Sequence, residues 1–396
     1  MAELTADRTP SGNPPPSGTA PAPGTAPALG TVLPSGHAPV PGTAPSSGTA
    51  PGAAAPSDAP SRRRVGSGAL PTARARRRFA IVLGSLIVLS LAFGLGYLAL
   101  DNPMPLGSEG FWIIAKLRVT TLVVMVLVAF CQALGTVAFQ TVTSNRIITP
   151  SIMGFESLYR AIQTTAVYVL GVAGLTALQG TTQFVLQIAA MMALSTLLYG
   201  WLLSGRYANM QVMLLIGIVI GGGLGAFSTF MQRLLTPSEF DVLTARLFGS
   251  VSNADVDQLP IAIPLVVLAG TILLLRARRL NVVALGKEQA TNLGIDHRRE
   301  TILVLLLVSL LMAVSTAMIG PMTFFGFLVA TLAYQAAATH DHRLVLPVAF
   351  LTAFVVLSGA YFVMKNVFYA QGYVSIIIEL VGGSIFLAVI LRKGRL

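Results

Sequence analysis

The sequence predicts an all-α polytopic membrane protein with about ten transmembrane helices, and three observations carry that prediction. The chain is 54% hydrophobic and only 10% charged, whereas soluble domains are about 25% charged. Apolar stretches recur ten times, each close to the ~20 residues a helix needs to cross a bilayer. Lys and Arg cluster between those stretches on alternate sides, as orientation signals do.

In chain order the predicted spans are 79–100, 119–139, 152–175, 183–203, 211–235, 259–275, 301–320, 322–338, 345–364 and 375–391. Gly320-Pro321 marks the turn between the seventh and eighth. Before them lies a Pro, Gly, Ala, Ser and Thr tail, residues 1–60, in which GTAP recurs from Gly18, Gly24, Gly42 and Gly48. A tail without apolar periodicity cannot offset the entropy of ordering, so it reads as disordered. No apolar core follows Met1, so the tail does not read as a signal peptide. A basic juxtamembrane segment, 61–78, holds Arg62 to Arg64 and Arg74 to Arg78. It predicts a cytoplasmic N-terminus and contact with anionic lipid. The membrane-spanning remainder is 79–396.

Ten spans that start inside also end inside. That arrangement puts twenty of the twenty-six Lys and Arg on the cytoplasmic side and five outside, with Arg160 within a span. The net charge of +11 is therefore an orientation signal, and no nucleic-acid partner is implied. The longest outer loop, Thr236 to Gln258, is too short for a folded extracellular domain. High-affinity capture of a ligand outside the cell would need another polypeptide.

The segment 276–300, RARRLNVVALGKEQATNLGIDHRRE, breaks the apolar pattern. Its six basic residues place it in the cytoplasm, and its internal order, Leu285-Gly286, Ala290, Leu293-Gly294, exceeds what a tether requires. A docking role in the cytoplasm is the expectation.

Within the spans, Glu156 and Arg160 are four apart and share a helix face. Their position predicts a site near the inner end of the third span, as an interfacial ion pair or as part of an inner vestibule. Glu379 is expected near the outer surface, as an interfacial carboxylate. Gly221, Gly222 and Gly223 allow close helix packing or a looser, path-lining helix. Lys116, Arg118 and Lys365 fall in outer segments and, taken alone, read as interfacial anchors.

No Gly-x-x-x-x-Gly-Lys-Ser/Thr loop occurs, so the chain does not cradle ATP phosphates by itself. His340-Asp341-His342 reads as a solvated loop rather than a metal site, and Cys131 as a packed apolar residue. No nucleophile–base constellation stands out. The reading is a conduit, not an enzyme, with no metal and no cofactor bound by this chain.

These motifs resemble the FecCD family, the ten-span permeases of ABC importers for iron–siderophore complexes, haem and cobalamin. Over 79–396 the resemblance rests on Gly135, Phe139-Gln140, Asn145, Pro150 and Met153-Gly154, with Arg146 where a proline is usual. It also rests on the 285–294 pattern, on Gly320-Pro321-Met322-Thr323-Phe324-Phe325-Gly326-Phe327, on Asp341-His342-Arg343 with Pro347, and on Glu379 with Gly382-Gly383. Ala330-Thr331 replaces the family's Pro-His and is followed by Tyr334-Gln335, an ending similar to the branch serving catecholate-type siderophores.

The resemblance implies a type II ABC importer permease in a bacterial plasma membrane, with both termini cytoplasmic. It implies a second permease subunit, two ATPase subunits that bind ATP and Mg, a substrate-binding protein, and a ferric siderophore as cargo. It places a short coupling helix, about Lys287 to Leu293 and capped by Gly294, in an ATPase groove. It places Lys116, Arg118 and Lys365 near acidic residues of the binding protein, and the path along the third, fifth, eighth and tenth spans. Haem or cobalamin is the alternative cargo. An ion-gradient-driven secondary transporter is the rival class, for which Glu156 is the sole acidic candidate at depth.

Overall fold

The computed structural model describes residues 68–99, 104–105, 107–177, 180–204, 210–251, 254–368 and 373–393. The tail, 1–60, and the first part of the basic segment lie outside the described residues. Helix α1 (Ala73–Ala99) takes in Arg74 to Arg78, so the basic segment is already helical where it meets the first span.

The helices follow one another up and down. After α1 come α2 (Glu109–Val142), a π-helical turn Ser151–Phe155 leading into α3 (Glu156–Ala177), α4 (Thr181–Ser204) and α5 (Met210–Gln232). A short helix, α6 (Pro237–Leu247), follows at one end of the bundle, then α7 (Leu259–Leu275). At the other end lie α8 (Ala277–Val283) and α9 (Lys287–Asn292). The remainder is α10 (His297–Ile319), α11 (Phe325–Ala337), α12 (His342–Asn366) and α13 (Val374–Lys393). Each of the ten predicted spans thus has its helix. Seven are long and apolar enough to cross a membrane on those criteria alone; α4 and α11 carry shorter apolar stretches, and α3 is interrupted by Glu156, Arg160 and Gln163.

Helix α2 is the axis of the core. It runs 34 residues, about 50 Å at 1.5 Å per residue, and α7, α10, α11 and α12 pack against it. Its Gln132 amide donates to Ser315 of α10 at 3.2 Å, so a polar pair pins the two central helices. At Gly326 of α11 and Gly270 of α7 an added Cβ would overlap Thr136 and the Phe130 ring of α2, so both helices touch its side chains closely. Exposed Leu91 and Leu95 on α1, Val169 on α3 and Leu380 on α13 face outward, as lipid-facing residues do.

The outer loop of the sequence reading is not structureless. Thr236 and Glu239 form a reciprocal capping box with Pro237 in the first turn, which starts α6.

Candidate functional site

The segment 276–300 is folded onto the bundle at both ends. Glu300, nearly fully buried, accepts from Arg276 at 2.5 Å and from Arg279 at 3.5 Å, closing the loop between α7 and α10. Between these anchors, Gly286 (φ 99°) leads into α9 and Gly294 (φ 80°) ends it. The Ile295 N–H donates to the Ala290 carbonyl and the Gly294 N–H to the Thr291 carbonyl, both at 2.9 Å, which is a Schellman cap. Ala290 is 0% exposed and seats α9 on the bundle, whereas Leu285 and Leu293 are 57% and 62% exposed. The segment's outward apolar contacts are therefore the two leucines, and its alanine faces in.

Asn281 on α8 binds this segment to the rest of the fold. Its Nδ2 donates to Asp341 Oδ1 at 2.9 Å, and its Oδ1 accepts the His342 N–H at 2.9 Å and faces His342 Nδ1 at 2.6 Å. The carboxylate fixes which side of the amide is nitrogen, so the His342 Nδ1 carries a proton. The other ring nitrogen meets Thr141 of α2 at 2.6 Å. His342 is 3% exposed. The solvated His340-Asp341-His342 loop expected from sequence is therefore corrected: Asp341 caps α12 through the Arg343 N–H, and His342 is a buried tie. The Arg343 guanidinium, then Asn281, holds the Asp341 carboxyl down at about 2. Arg146, on the link between α2 and the π turn, lies over the Tyr334 ring at 4.5 Å and meets His340 at 3.1 Å. Two departures from the family pattern, Arg146 and the Tyr334 ending, thus touch each other.

A second group lies at half height. Gly154, at φ 108°, brings its backbone against Gly221, midway along α5; a Cβ on Gly221 would sit 2.8 Å from the Gly154 Cα. Glu156 follows two residues later, so it is not at the inner end of its span as the sequence reading expected. The π turn and the close glycine contact raise it to mid-bundle. Glu156 is 6% exposed; its Oε2 accepts from Thr323 at 2.5 Å and its Oε1 has no hydrogen-bond partner among the described residues. Thr323 also reaches Glu379, which puts that carboxylate at the same level rather than at the outer surface. Arg160 acts electrostatically on both carboxylates and is itself exposed, without an ion pair among the described residues. Gly222 and Gly223 face open space, so of the three glycines Gly221 alone makes the close approach.

The three cations at the α6 end are not brought together. Lys116 and Arg118 lie within α2, two residues apart and so on different faces. Arg118 donates to the Tyr97 carbonyl at 3.0 Å and lies over that ring. Lys365 lines a cavity with Tyr97 and Tyr361, whose rings meet edge to face at 5.4 Å. Lys116 is exposed beside Trp112 and Leu95.

Ten antiparallel helices, a folded loop at one end and a charged group at half height define a multi-pass membrane protein of the permease kind. The chain belongs to the FecCD transport family, whose model matches residues 81–392. It is 52% identical over 320 residues to the petrobactin import system permease protein FatC of Bacillus anthracis, covering 81% of this chain and 90% of that one. It is 34% identical over 278 residues to the petrobactin import system permease protein YclO of Bacillus subtilis, covering 70% and 88%. Among solved structures, a metal-chelate type ABC transporter in an inward-facing conformation matches with a TM-score of 0.65 at 21% identity, over 79% of this chain and 99% of that one. That likeness speaks to the fold.

Proposed function

We propose that this chain is the permease subunit of an ABC importer that carries a ferric siderophore of the petrobactin kind into the cytoplasm. The observation that carries the reading is the 52% identity to FatC across nine-tenths of that protein's length. In this reading the α9 end faces the cytoplasm, both termini lie there, and the α6 end faces outward. ATP and Mg belong to a separate ATPase, which grips Leu285, Leu293 and the exposed face of α9. A second permease subunit completes the path, and a substrate-binding protein docks near Lys116, Arg118 and Lys365.

The chain's own residues suggest how the work is divided. Force on α9 reaches α8 through the short, glycine-bounded link at Gly286. From α8 it passes through Asn281 to α12 and through His342 to α2. The half-height group, Glu156, Thr323, Glu379 and Arg160, sits on α3, the turn that enters α11, and α13, three of the helices that would line the path. Iron travels inside its chelator, so no metal ligand is required.

The test is reconstitution with the cognate ATPase, permease partner and binding protein in liposomes. Uptake of radiolabelled ferric petrobactin should require ATP inside. Uptake by the purified chain alone, without ATP, would instead support a gradient-driven transporter.

A further inference from the structure

At the α6 end a polar cavity of about 440 Å³ opens between α3, α4, α6 and the end of α10. Its volume is that of a small-molecule site. In an otherwise apolar bundle its lining is unusual: Gln163, Gln183, Gln187, Gln258, Tyr159 and Arg246 all face it.

The polar groups satisfy one another only in part. Gln183 donates to Gln163 Oε1 at 3.5 Å and Gln163 to Gln187 Oε1 at 3.3 Å. Gln187, only 5% exposed, ends this relay. Arg246, half-buried, makes no ion pair among the described residues. Its backbone carbonyl accepts from the Tyr159 hydroxyl at 3.2 Å, which ties α6 to α3 beside the cavity. Burial pulls the Arg246 guanidinium below the usual arginine value, with Tyr159 acting the other way. A partly buried charge without a counter-charge is costly and marks a place where something else supplies the pair.

We propose that this cavity is a binding site for a small organic anion, a carboxylate that also carries hydroxyl or amide groups. The carboxylate meets the Arg246 guanidinium, and a hydroxyl of the same molecule donates to the Oε1 of the partly exposed Gln183. Asp255 stands exposed at the cavity wall, where it disfavours a second anionic group and accepts from a hydroxyl. A simple inorganic ion would satisfy the guanidinium and leave most of the volume and the amide acceptor unused. The site is separate from the half-height group, and the proposal holds whichever side of the membrane the α6 end faces.

The test uses the full chain in phosphatidylcholine nanodiscs, with gluconate as probe and sulfate and glycerol as comparators, read by calorimetry and by the shift in melting midpoint. Gluconate is expected to bind saturably and glycerol not at all. Arg246→Gln should weaken gluconate at least about tenfold, as loss of a charged hydrogen bond does. Arg246→Lys should retain part of the binding, and Gln183→Leu should weaken it by a smaller factor. The melting midpoint without gluconate reports whether each variant is folded, and the lysine variant keeps the test open if the glutamine variant is not. Absent gluconate binding, or binding indifferent to both Arg246 variants, overturns the site. Sulfate binding as tightly as gluconate overturns the organic class. None of these readouts requires transport, so a failure here is distinct from a failure of the import reading.

Discussion

At the α9 end, three stretches remote in sequence are bonded into one body: α8 through Asn281, the start of α12 and the turn before it through His340, Asp341 and His342, and the end of α2 with its link to α3 through Thr141 and Arg146. At the α6 end, the half-buried Arg246 makes no ion pair among the described residues and lines an open cavity with four glutamines. All four ion pairs among the described residues are at the α9 end. The difference teaches what each end is built for. A surface that must pass on displacement needs its parts to move together, so its charges are paired internally. A surface that receives a charged ligand keeps a charge unpaired until the ligand arrives.

The largest expected effect tests the closed end. Glu300→Ala removes the shared acceptor of Arg276 and Arg279 and leaves Arg276 partly buried without its counter-charge. Removing one partner of a buried pair costs about 3–5 kcal/mol, and the low end applies because Arg276 retains some water. Folded protein in the membrane fraction and the melting midpoint in nanodiscs should both fall sharply. An unchanged midpoint would mean that the loop is not held from this residue.

Asn281→Ala comes next. It removes the bonds to Asp341 and His342 and leaves the His342 ring without its Nδ1 acceptor, at a cost of about 1–3 kcal/mol. The sharper readout is coupling: ATP hydrolysis by the assembled importer should persist while uptake per ATP falls. In the folded protein acid should not open this tie above about pH 4, where the His342 ring, held down by burial, takes up a proton. Stability is lost earlier, as pH falls from about 6.5 toward 4, because the unfolded chain protonates that ring first. The Asp341 pKa is depressed too, so its stabilising contribution is complete above the unfolded value near 3.8 and is lost only as pH falls toward 2. Uptake by the wild type that declines in step with uptake by the Asn281 variant between pH 5 and 8 would contradict this assignment of charge.

Much of the fold was legible because a bilayer imposes length and apolarity on every span, and the boundaries of α7 match the sequence reading to the residue. The α9 cap was legible too, since a glycine placed after a short polar helix has few other uses. Depth was not legible for Glu156. It depends on the π turn at Ser151–Phe155 and on Gly154 meeting Gly221, a contact between residues 67 positions apart. The Asn281 tie was hidden for the same reason, because its partners lie about sixty residues away. Helix α6 was missed although its signal was present: Thr236-Pro237 with Glu239 is a helix start written in sequence.

Gly294→Ala has a smaller and cleaner expected effect. Nothing lies within 4 Å of a Cβ added there, so the cost is the backbone conformation alone, about 1–2 kcal/mol for an L-residue in the left-handed region. The Schellman cap should loosen and uptake should drop, while Gly294→Asn, which tolerates that region, should restore most of it. Equal uptake by glycine, alanine and asparagine would remove the cap from the account of docking.

Arg246→Gln should show the smallest effect on stability, and that is what makes it informative. No ion pair among the described residues is lost, and the Tyr159 bond runs to the backbone carbonyl, which the substitution keeps. The change in stability without ligand should stay within about 0.5 kcal/mol, as for substitutions that break no buried network. A drop comparable to that of Glu300→Ala would show that Arg246 is already matched within the fold. The two ends would then be built alike, and the glutamines alone would not make the α6 end a receiving surface.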